Sequence, residues 1–368
     1  VWRNRFLWAG FVFSMIVGGL KGWHAFNPRV PDPSVVIKLG DYVADPAWGG
    51  MFDASLVLSL FIVSIAVFFE LNVLLSIVVG YWACRLVYPA GYLADFKVNA
   101  GFPWRDEQTI GAYIGYALIV LVLSRRHFAE MLKGAWQGLP RAEGEVLSSR
   151  AAVALLALCH VGVLAWARLA GAGSGSMLLM FAFLVMVGFV GAKIRAECGT
   201  PFGYFSPYNS MLFVTLCGGM SVFGTGGLLV SLILSGFLTV TVFYLIPGMQ
   251  FEMVQIGKRM RLRPWDVAGT CLLGLFGGLF IGGWVFLSNA YSIGGDNVRF
   301  QWAFNGLNWF MNSYRAELNE TTAAWLRGGG VEPAAGGSVW GVGMMVYGGV
   351  VTMALALFRK FFSGFWFH

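Results

Sequence analysis

Six polar or charged residues stand beside long apolar runs, where side chains of these types could exchange protons or bind a polar ligand. They are Glu70, Asn72, Arg195, Glu197, Gln250 and Glu252. A carboxylate in apolar surroundings must reach water, find a partner or keep its proton. Ionisable groups inside membrane segments are therefore functional candidates. We interpret these six as candidate substrate- or proton-binding residues.

The segment around Glu252 has two interpretations. It follows an apolar run that is broken by Pro247 and Gly248. A carboxylate there could face a vestibule, or it could be an interfacial acid paired with a nearby base. From Pro247 the chain reads as an amphipathic helix at the interface, ended by Pro264.

The stretch 191–210, "GAKIRAECGTPFGYFSPYNS", also leaves two interpretations open. Lys193 and Glu197 are four residues apart and could pair on a helix, whereas Arg195 points elsewhere. Glycines and prolines then break the chain before the next apolar run. Charges followed by irregular backbone suit a substrate or ion site, because helix ends offer unpaired amides and carbonyls. A simple loop with a local ion pair is the alternative.

The location of Glu70 relative to the membrane depends on the path of residues 54–88. If that run crosses the bilayer continuously, Glu70 is intramembrane; if it forms a hairpin, Glu70 marks the turn. His160 lies alone in "LALCHVGVL", where a packed, hydrogen-bonded histidine is more usual than a haem or chlorophyll ligand. The five cysteines are isolated, and no HExxH, GxxxxGK[ST] or GxSxG motif occurs. We expect no metal, no cofactor and no enzyme activity.

The composition places these residues in a membrane protein. Hydrophobic residues make up 58% of the 368 residues and charged residues only 12%, about half the charged share of a soluble domain. The net charge of +7 comes from bases just outside apolar runs. That pattern reports topology, so nucleic acid is excluded as a partner and the lipid bilayer is expected.

The apolar runs predict an all-α, polytopic transmembrane helix bundle with about ten spans, including broken or re-entrant helices. The predicted spans are 6–26, 54–69, 71–88, 108–124, 150–169, 176–194, 208–222, 224–246, 265–290 and 339–358. Two runs, 54–88 and 208–246, could each be two short spans, one bent span or a re-entrant hairpin. Glycines four residues apart predict close helix packing, at Gly111 and Gly115 and at Gly274, Gly278 and Gly282.

Five groups of lysines and arginines near span ends predict orientation. They are Arg3 and Arg5; Arg125, Arg126 and Lys133; Lys193 and Arg195; Lys258, Arg259, Arg261 and Arg263; and Arg359 and Lys360. With about ten crossings, all basic groups share one side, which places both chain ends in the cytoplasm. Residues 125–149 and 247–264 become cytoplasmic connectors, and 27–53 and 291–338 become non-cytoplasmic loops. We expect residues 1–368 to form one integral membrane domain, part of a longer protein.

Two segments carry a family resemblance. "KIRAECGTPFG" and "YLIPGMQFEMVQIGKRMRLRPWDVAGTCLLGLFGGLFIGGWVFLSNAY" resemble an uncharacterised family of large bacterial integral membrane proteins, which is similar to the oligopeptide transporter superfamily. A segment that follows a span in those transporters matches Gln250, Phe251, Gly257, Met260, Arg263 and Pro264, with Glu252 standing where the pattern differs. The resemblance implies an inner-membrane transporter-like fold, with proton-coupled uptake of peptides or metal chelates.

Two functions follow from the sequence. The first is a secondary transporter, whose cavity would be lined by 191–210, 246–260 and Glu70 and would take a small peptide or chelate. The second is a non-transporting structural subunit of a larger, energy-converting membrane complex. A homo-oligomer is compatible with both.

Overall fold

The computed structural model describes residues 5–52, 54–95, 102–140, 147–199, 210–238, 241–294, 339–362 and 364–366. Its contacts divide the chain into two compact units, Val1–Pro103 with Gly364–His368 and Trp104–Ser363. We describe each unit by itself. The assignment of 1–368 to one membrane domain, and of the four connecting segments to opposite sides, stays a prediction.

The described residues of the first unit form three helices and a small sheet. The helices are α1 (Arg5–Phe26), α2 (Leu60–Ala66) and α3 (Leu71–Leu93). Strands β1 (Val35–Lys38) and β2 (Ser55–Leu58) pair antiparallel, with Val35 opposite Leu58. Between them the chain makes two 3-10 turns, at Leu39–Tyr42 and Pro46–Met51. Part of the predicted loop 27–53 is therefore ordered by strand pairing.

The prediction of a membrane span over 54–69 is wrong. This stretch is strand β2 followed by α2, which begins after Ser59, whose hydroxyl accepts a hydrogen bond from the Ile62 N–H. A seven-residue helix is about 10 Å long, a third of the hydrocarbon core. Glu70 lies in extended backbone immediately before α3. Residues 54–88 are thus not one continuous helical span, and Glu70 lies between α2 and α3.

The second unit contains nine helices among the described residues. They are α4 (Arg105–Leu123), α5 (Arg125–Gln137), α6 (Ser149–Leu169), α7 (Ser174–Cys198), α8 (Ser210–Leu216), α9 (Gly219–Leu238), α10 (Thr241–Arg259), α11 (Pro264–Ile293) and α12 (Val339–Phe361). The predicted spans at 108–124, 150–169, 176–194, 265–290 and 339–358 each fall within or nearly within one of these helices.

The region 208–246 is divided differently from the predicted pair of spans. Helix α8 ends at Leu216, and Gly218 and Gly219 both have positive φ angles, 105° and 52°. Within α9, Gly224 has φ 65° and ψ 175°, a conformation that glycine adopts without steric cost. Helix α10 then runs through Pro247 to Arg259, so the amphipathic helix predicted to begin at Pro247 begins at Thr241.

Helix α7 lies at the centre of the apolar core. Met180 and Val187 are fully buried, and Phe183 stacks on Phe213 of α8 with ring centroids 3.9 Å apart. The buried residues of α7 recur at spacings of three and four, as expected for the inward face of a bundle helix, whereas Leu178 and Val185 on the other face are exposed. Helix α7 can therefore connect several neighbours.

Glycines bring α4 and α12 into backbone contact. A Cβ atom on Gly111 would lie 1.7 Å from the Met345 carbonyl oxygen, and one on Gly115 would lie 2.4 Å from that of Gly349. Trp104, just before α4, stacks on Trp340 near the start of α12 with centroids 5.9 Å apart, so the two helices are parallel. The predicted close approach at Gly111 and Gly115 is confirmed.

The glycines of α11 behave differently. A Cβ atom on Gly274, Gly278 or Gly282 would meet no atom within 4 Å among the described residues. The same spacing therefore marks a packed helix pair in α4 and an open face in α11.

Six described helices are long and apolar enough to cross a membrane: α3, α4, α6, α7, α11 and Trp340–Phe361 of α12. The prediction of an all-α membrane protein with transmembrane helices is confirmed at this level. The sheet of β1 and β2 is a local addition to it.

Candidate functional site

The last turns of α7 carry three charges on two faces. Lys193 and Glu197 are one turn apart, whereas Arg195 lies about 200° around the helix from Lys193. The helix ends at Gly199, which has a φ of 67° and donates its N–H to the Arg195 carbonyl. Bases near a helix C-terminus are stabilised by the helix dipole. The sequence thus presents charge in two directions from one helix end.

One face carries a bidentate ion pair between α7 and α10. The Arg195 Nε donates to Glu252 Oε1 at 2.7 Å, and Nη2 donates to Oε2 at 3.0 Å. The Arg195 side chain is 13% exposed and the Glu252 side chain 52% exposed. Bidentate guanidinium–carboxylate pairs are among the stronger hydrogen-bonded contacts in proteins. Of the two interpretations of Glu252, pairing with a base is therefore the one observed.

Small residues permit this approach. A Cβ atom on Gly248 would lie 2.5 Å from the Arg195 Cδ, and one on Gly188 would lie 3.6 Å from the Pro247 ring. The Arg195 side chain thus lies directly on the α10 backbone. The Pro247–Gly248 pair, which the sequence suggests as a helix break, lets the arginine reach Glu252.

The other face of α7 carries a second group of contacts, centred on Glu197. Lys193 Nζ lies 2.8 Å from Glu197 Oε1, and the Tyr116 hydroxyl of α4 donates to Oε2 at 2.7 Å. Arg359, in the last turn of α12, adds a favourable charge to Glu197. The predicted pairing of Lys193 with Glu197, with Arg195 pointing elsewhere, is confirmed.

The site therefore joins four helices at one end of the second unit. We call Tyr116, Lys193, Arg195, Glu197 and Glu252 the α7 charge cluster. The C-terminal ends of α4, α7 and α12 lie at this end, since α4 and α12 are parallel and Arg359 acts on Glu197. Phe128 of α5 contacts Phe189 of α7, with ring centroids 6.5 Å apart. The basic groups that follow α4, end α7 and end α12 thus share one end, as the sequence predicts.

Sequence reasoning missed Tyr116 and gave Arg359 only a topological role. Tyr116 lies inside an apolar run, in "IGAYIGY", one residue after a glycine that contacts α12. A phenol within a span needs a hydrogen-bond partner. That requirement was the available signal, although it does not name Glu197.

The other predicted site residues lie elsewhere. Gln250 is exposed on α10. Asn72 donates its side-chain amide to Glu70 Oε1 at 3.2 Å, and both belong to the first unit. A cavity shared by Glu70 and the α7 charge cluster stays a prediction. Of the stretch 191–210, residues 200–209 lie outside the described residues.

The candidate cofactor ligand His160 is held by its own helix. Its Nδ1 lies 2.8 Å from the Leu156 carbonyl, and its ring meets the edge of Phe181 at a centroid distance of 4.8 Å. His160 is thus hydrogen-bonded through Nδ1 and packed against Phe181. Within the described ranges no three His, Cys, Asp or Glu side chains are grouped as metal ligands.

A cavity of about 640 Å³ lies where α6 turns into α7. It is lined by Ala165, Arg168, Leu169, Gly171, Ala172 and Gly173. None of these belongs to the α7 charge cluster. The cluster is thus a set of helix-to-helix contacts rather than the lining of this cavity.

Comparison with known proteins identifies the family of the chain but assigns no activity to it. No curated protein and no solved structure matches the chain. A model described as a family of unknown function (DUF6785) matches residues 1–368, and the chain belongs to this family.

Proposed function

We propose that this protein is a secondary transporter, or part of one, in which protonation of Glu252 releases α10 from α7. The supporting observation is the bidentate contact between Arg195 and Glu252, which joins two helices through a group that can lose its charge. Intramembrane and membrane-edge carboxylates are the usual proton carriers of such proteins. Broken helices, as at Gly218 and Gly224, are also typical of transporters.

The mechanism follows from the unequal exposure of the pair. Glu252 is half exposed, so water can deliver a proton to it, whereas Arg195 is mostly buried. A proton on Glu252 replaces the ion pair with a weaker contact between a neutral acid and a cation. The carboxylate of a peptide or of an anionic chelate can then take the place of the Glu252 carboxylate on Arg195. The proposal therefore couples proton arrival to binding of an anionic substrate.

The substrate class follows from the resemblance to the oligopeptide transporter superfamily, so peptides and metal chelates are the compounds to test. Purified protein in proteoliposomes would be given an inward proton gradient and either a dipeptide and tripeptide mixture or a ferric chelate. Encapsulated pyranine would report substrate-dependent proton entry. We expect the native protein to give a signal and Glu252→Gln to give none.

A matched control separates charge at the site from charge in general. Glu130→Gln changes an exposed carboxylate on α5, away from the α7 charge cluster, and we expect it to keep the native signal. Proton entry by Glu252→Gln at the native rate would refute the role of Glu252. No substrate-dependent entry in the native protein with any of these compounds would remove the support for this substrate class.

We also propose that the basic end of the second unit faces the cytoplasm of a bacterium, following the positive-inside rule. About ten crossings were predicted; α1, α9 and α10 are available in addition to the six helices named above. Residues 54–69 no longer supply one. Arg3 and Arg5 share the side of the other basic groups only if that crossing exists, so a cytoplasmic N-terminus loses this support.

The structural-subunit alternative has its own supporting observation. Both oxygens of Glu197 and both of Glu252 have partners within the protein, as expected of contacts that hold helices together. In that case Glu252→Gln would lower stability without any transport phenotype. Copurification of the native protein with a stoichiometric membrane partner, together with silent proteoliposomes, would favour this function.

A further inference from the structure

Helix α5 is too short and too charged to cross the membrane. Its 13 residues reach about 20 Å, against about 30 Å for the hydrocarbon core. It contains Arg125, Arg126, Glu130 and Lys133. Only Ser124 separates it from the end of α4, which is one of the six candidate spans. The start of α5 is therefore held at the membrane surface.

Three faces run along α5. One is packed against the bundle, where Gly134 is buried and Phe128 meets Phe189 of α7. The second is apolar and uncovered: the Leu132 side chain is 55% exposed and Trp136 is 92% exposed. An uncovered tryptophan next to a leucine on one helical face is unfavourable in water.

The third face is basic. Arg126 and Lys133 are both exposed, and their spacing of seven residues places them on one side of the helix. Lys133 stands three residues before Trp136, so this side adjoins the apolar strip of Leu132 and Trp136. Arg125, also exposed, lies seven residues before Leu132 and therefore in line with the apolar strip, at its start. A strip of apolar side chains beside a strip of bases is the pattern of helices that lie in the headgroup layer.

We propose that α5 lies in the headgroup layer of the membrane, where Leu132 and Trp136 enter the acyl region and Arg125, Arg126 and Lys133 bind anionic phospholipid headgroups. Three bases against one acid give this surface the charge that such lipids attract. The tether of one residue to α4 keeps it where lipid, rather than a soluble partner, covers the apolar strip. This inference does not depend on transport.

Neighbouring positions provide the test. In a background without the five native cysteines, single cysteines at positions 132, 136, 133 and 137 would be labelled with bimane and the protein placed in liposomes. Lipids brominated on the acyl chain quench only a probe that reaches the acyl region, and iodide quenches only a probe in water. We expect lipid quenching at 132 and 136 and iodide quenching at 133 and 137. Equal iodide quenching at 136 and 137 would overturn the insertion of α5.

The charge part is tested at position 136 with brominated phosphatidylglycerol and brominated phosphatidylcholine at equal mole fraction. We expect stronger quenching by phosphatidylglycerol, with the preference falling roughly fivefold for each base removed in Arg126→Gln and Lys133→Gln. Glu130→Gln should keep or raise the preference. Equal quenching by both lipids in the parent protein would overturn anionic lipid binding. If the cysteine-free protein does not fold, intrinsic tryptophan fluorescence replaces the bimane probe. The part of the quenching that Trp136→Phe removes is then compared between the two brominated lipids.

Discussion

The ion pair between Arg195 and Glu252 predicts an unequal cost for removing its two members. Arg195 is 13% exposed, so Glu252→Gln removes the bidentate carboxylate from a mostly buried guanidinium. Exposed pairs contribute about 0–1 kcal/mol and breaking buried pairs costs about 3–5 kcal/mol. For this intermediate pair we expect a loss of about 2 kcal/mol in the free energy of unfolding.

Substitution of Arg195, the other member of the pair, should lower the free energy of unfolding by less. Arg195→Met keeps most of the alkyl chain that lies on Gly248, and it leaves Glu252, which is 52% exposed and can be hydrated. We expect a loss of about 1 kcal/mol, because water replaces most of the lost contact. The double variant should be about 1 kcal/mol more stable than the sum of the single effects predicts, as expected for residues in direct contact.

Reversible unfolding by sodium dodecyl sulfate in mixed micelles, followed by circular dichroism, measures these free energies. Glu130→Gln serves as the control and should change the free energy of unfolding by less than about 0.5 kcal/mol. Equal costs for the two single variants would refute the reasoning from exposure. A coupling energy near zero would show that the pair does not hold α10 to α7.

Three further predictions can be checked by the same unfolding measurement. Gly111→Ala should lower the free energy of unfolding by at least about 2 kcal/mol, because a Cβ 1.7 Å from a carbonyl oxygen forces α4 and α12 apart. Gly278→Ala should be neutral or stabilising. Similar losses in the two variants would contradict this prediction. Tyr116→Phe should cost about 1 kcal/mol through the hydrogen bond lost to α7, and no change would show that Lys193 alone satisfies the carboxylate. Ser231→Ala should gain up to about 1 kcal/mol, since its buried hydroxyl has no hydrogen-bond partner within the described part of the chain; a loss would reveal a partner there.

The positions of most long helices followed from apolar periodicity and length, because a span needs a long apolar run whatever it packs against. The failures came where runs are interrupted. Residues 54–69 are as apolar as a span, but they divide between strand β2 and a short helix that begins after Ser59. Gly218 and Gly224 moved the helix boundaries in 208–246, since a positive φ angle is invisible in an apolar average.

The sequence predicted the local contacts of the candidate site but not the contacts between helices. The pairing of Lys193 with Glu197 depends on positions four apart on one helix, so local spacing predicts it. The partners Glu252 and Tyr116 are 57 and 81 residues from their contacts. Such pairs depend on which helices are neighbours, and the glycine spacing that decides this was the same in α4 and in the uncovered α11. Sequence pattern alone could not choose between them.

The contacts on the two sides of α7 are of different kinds. On one side, α4 and α12 meet through backbone contacts at Gly111 and Gly115 that leave no room for a Cβ atom. On the other side, the arginine–glutamate contact holds α10 at one charged end. Loss of charge on Glu252 should therefore move α10 while leaving α4 and α12 together.

Spin-label distances can separate these motions. A pair at Gln255 on α10 and Leu121 on α4 reports the first, and a pair at Leu121 and Leu357 on α12 reports the second; all three positions are exposed. In Glu252→Gln we expect the first distance distribution to shift or broaden and the second to stay unchanged. If both stay unchanged, the ion pair does not restrain α10, and the proton-driven release proposed above fails at its first step. A change in both would mean that α7 moves with α10, so that the contacts on its two faces would have to be treated as one unit.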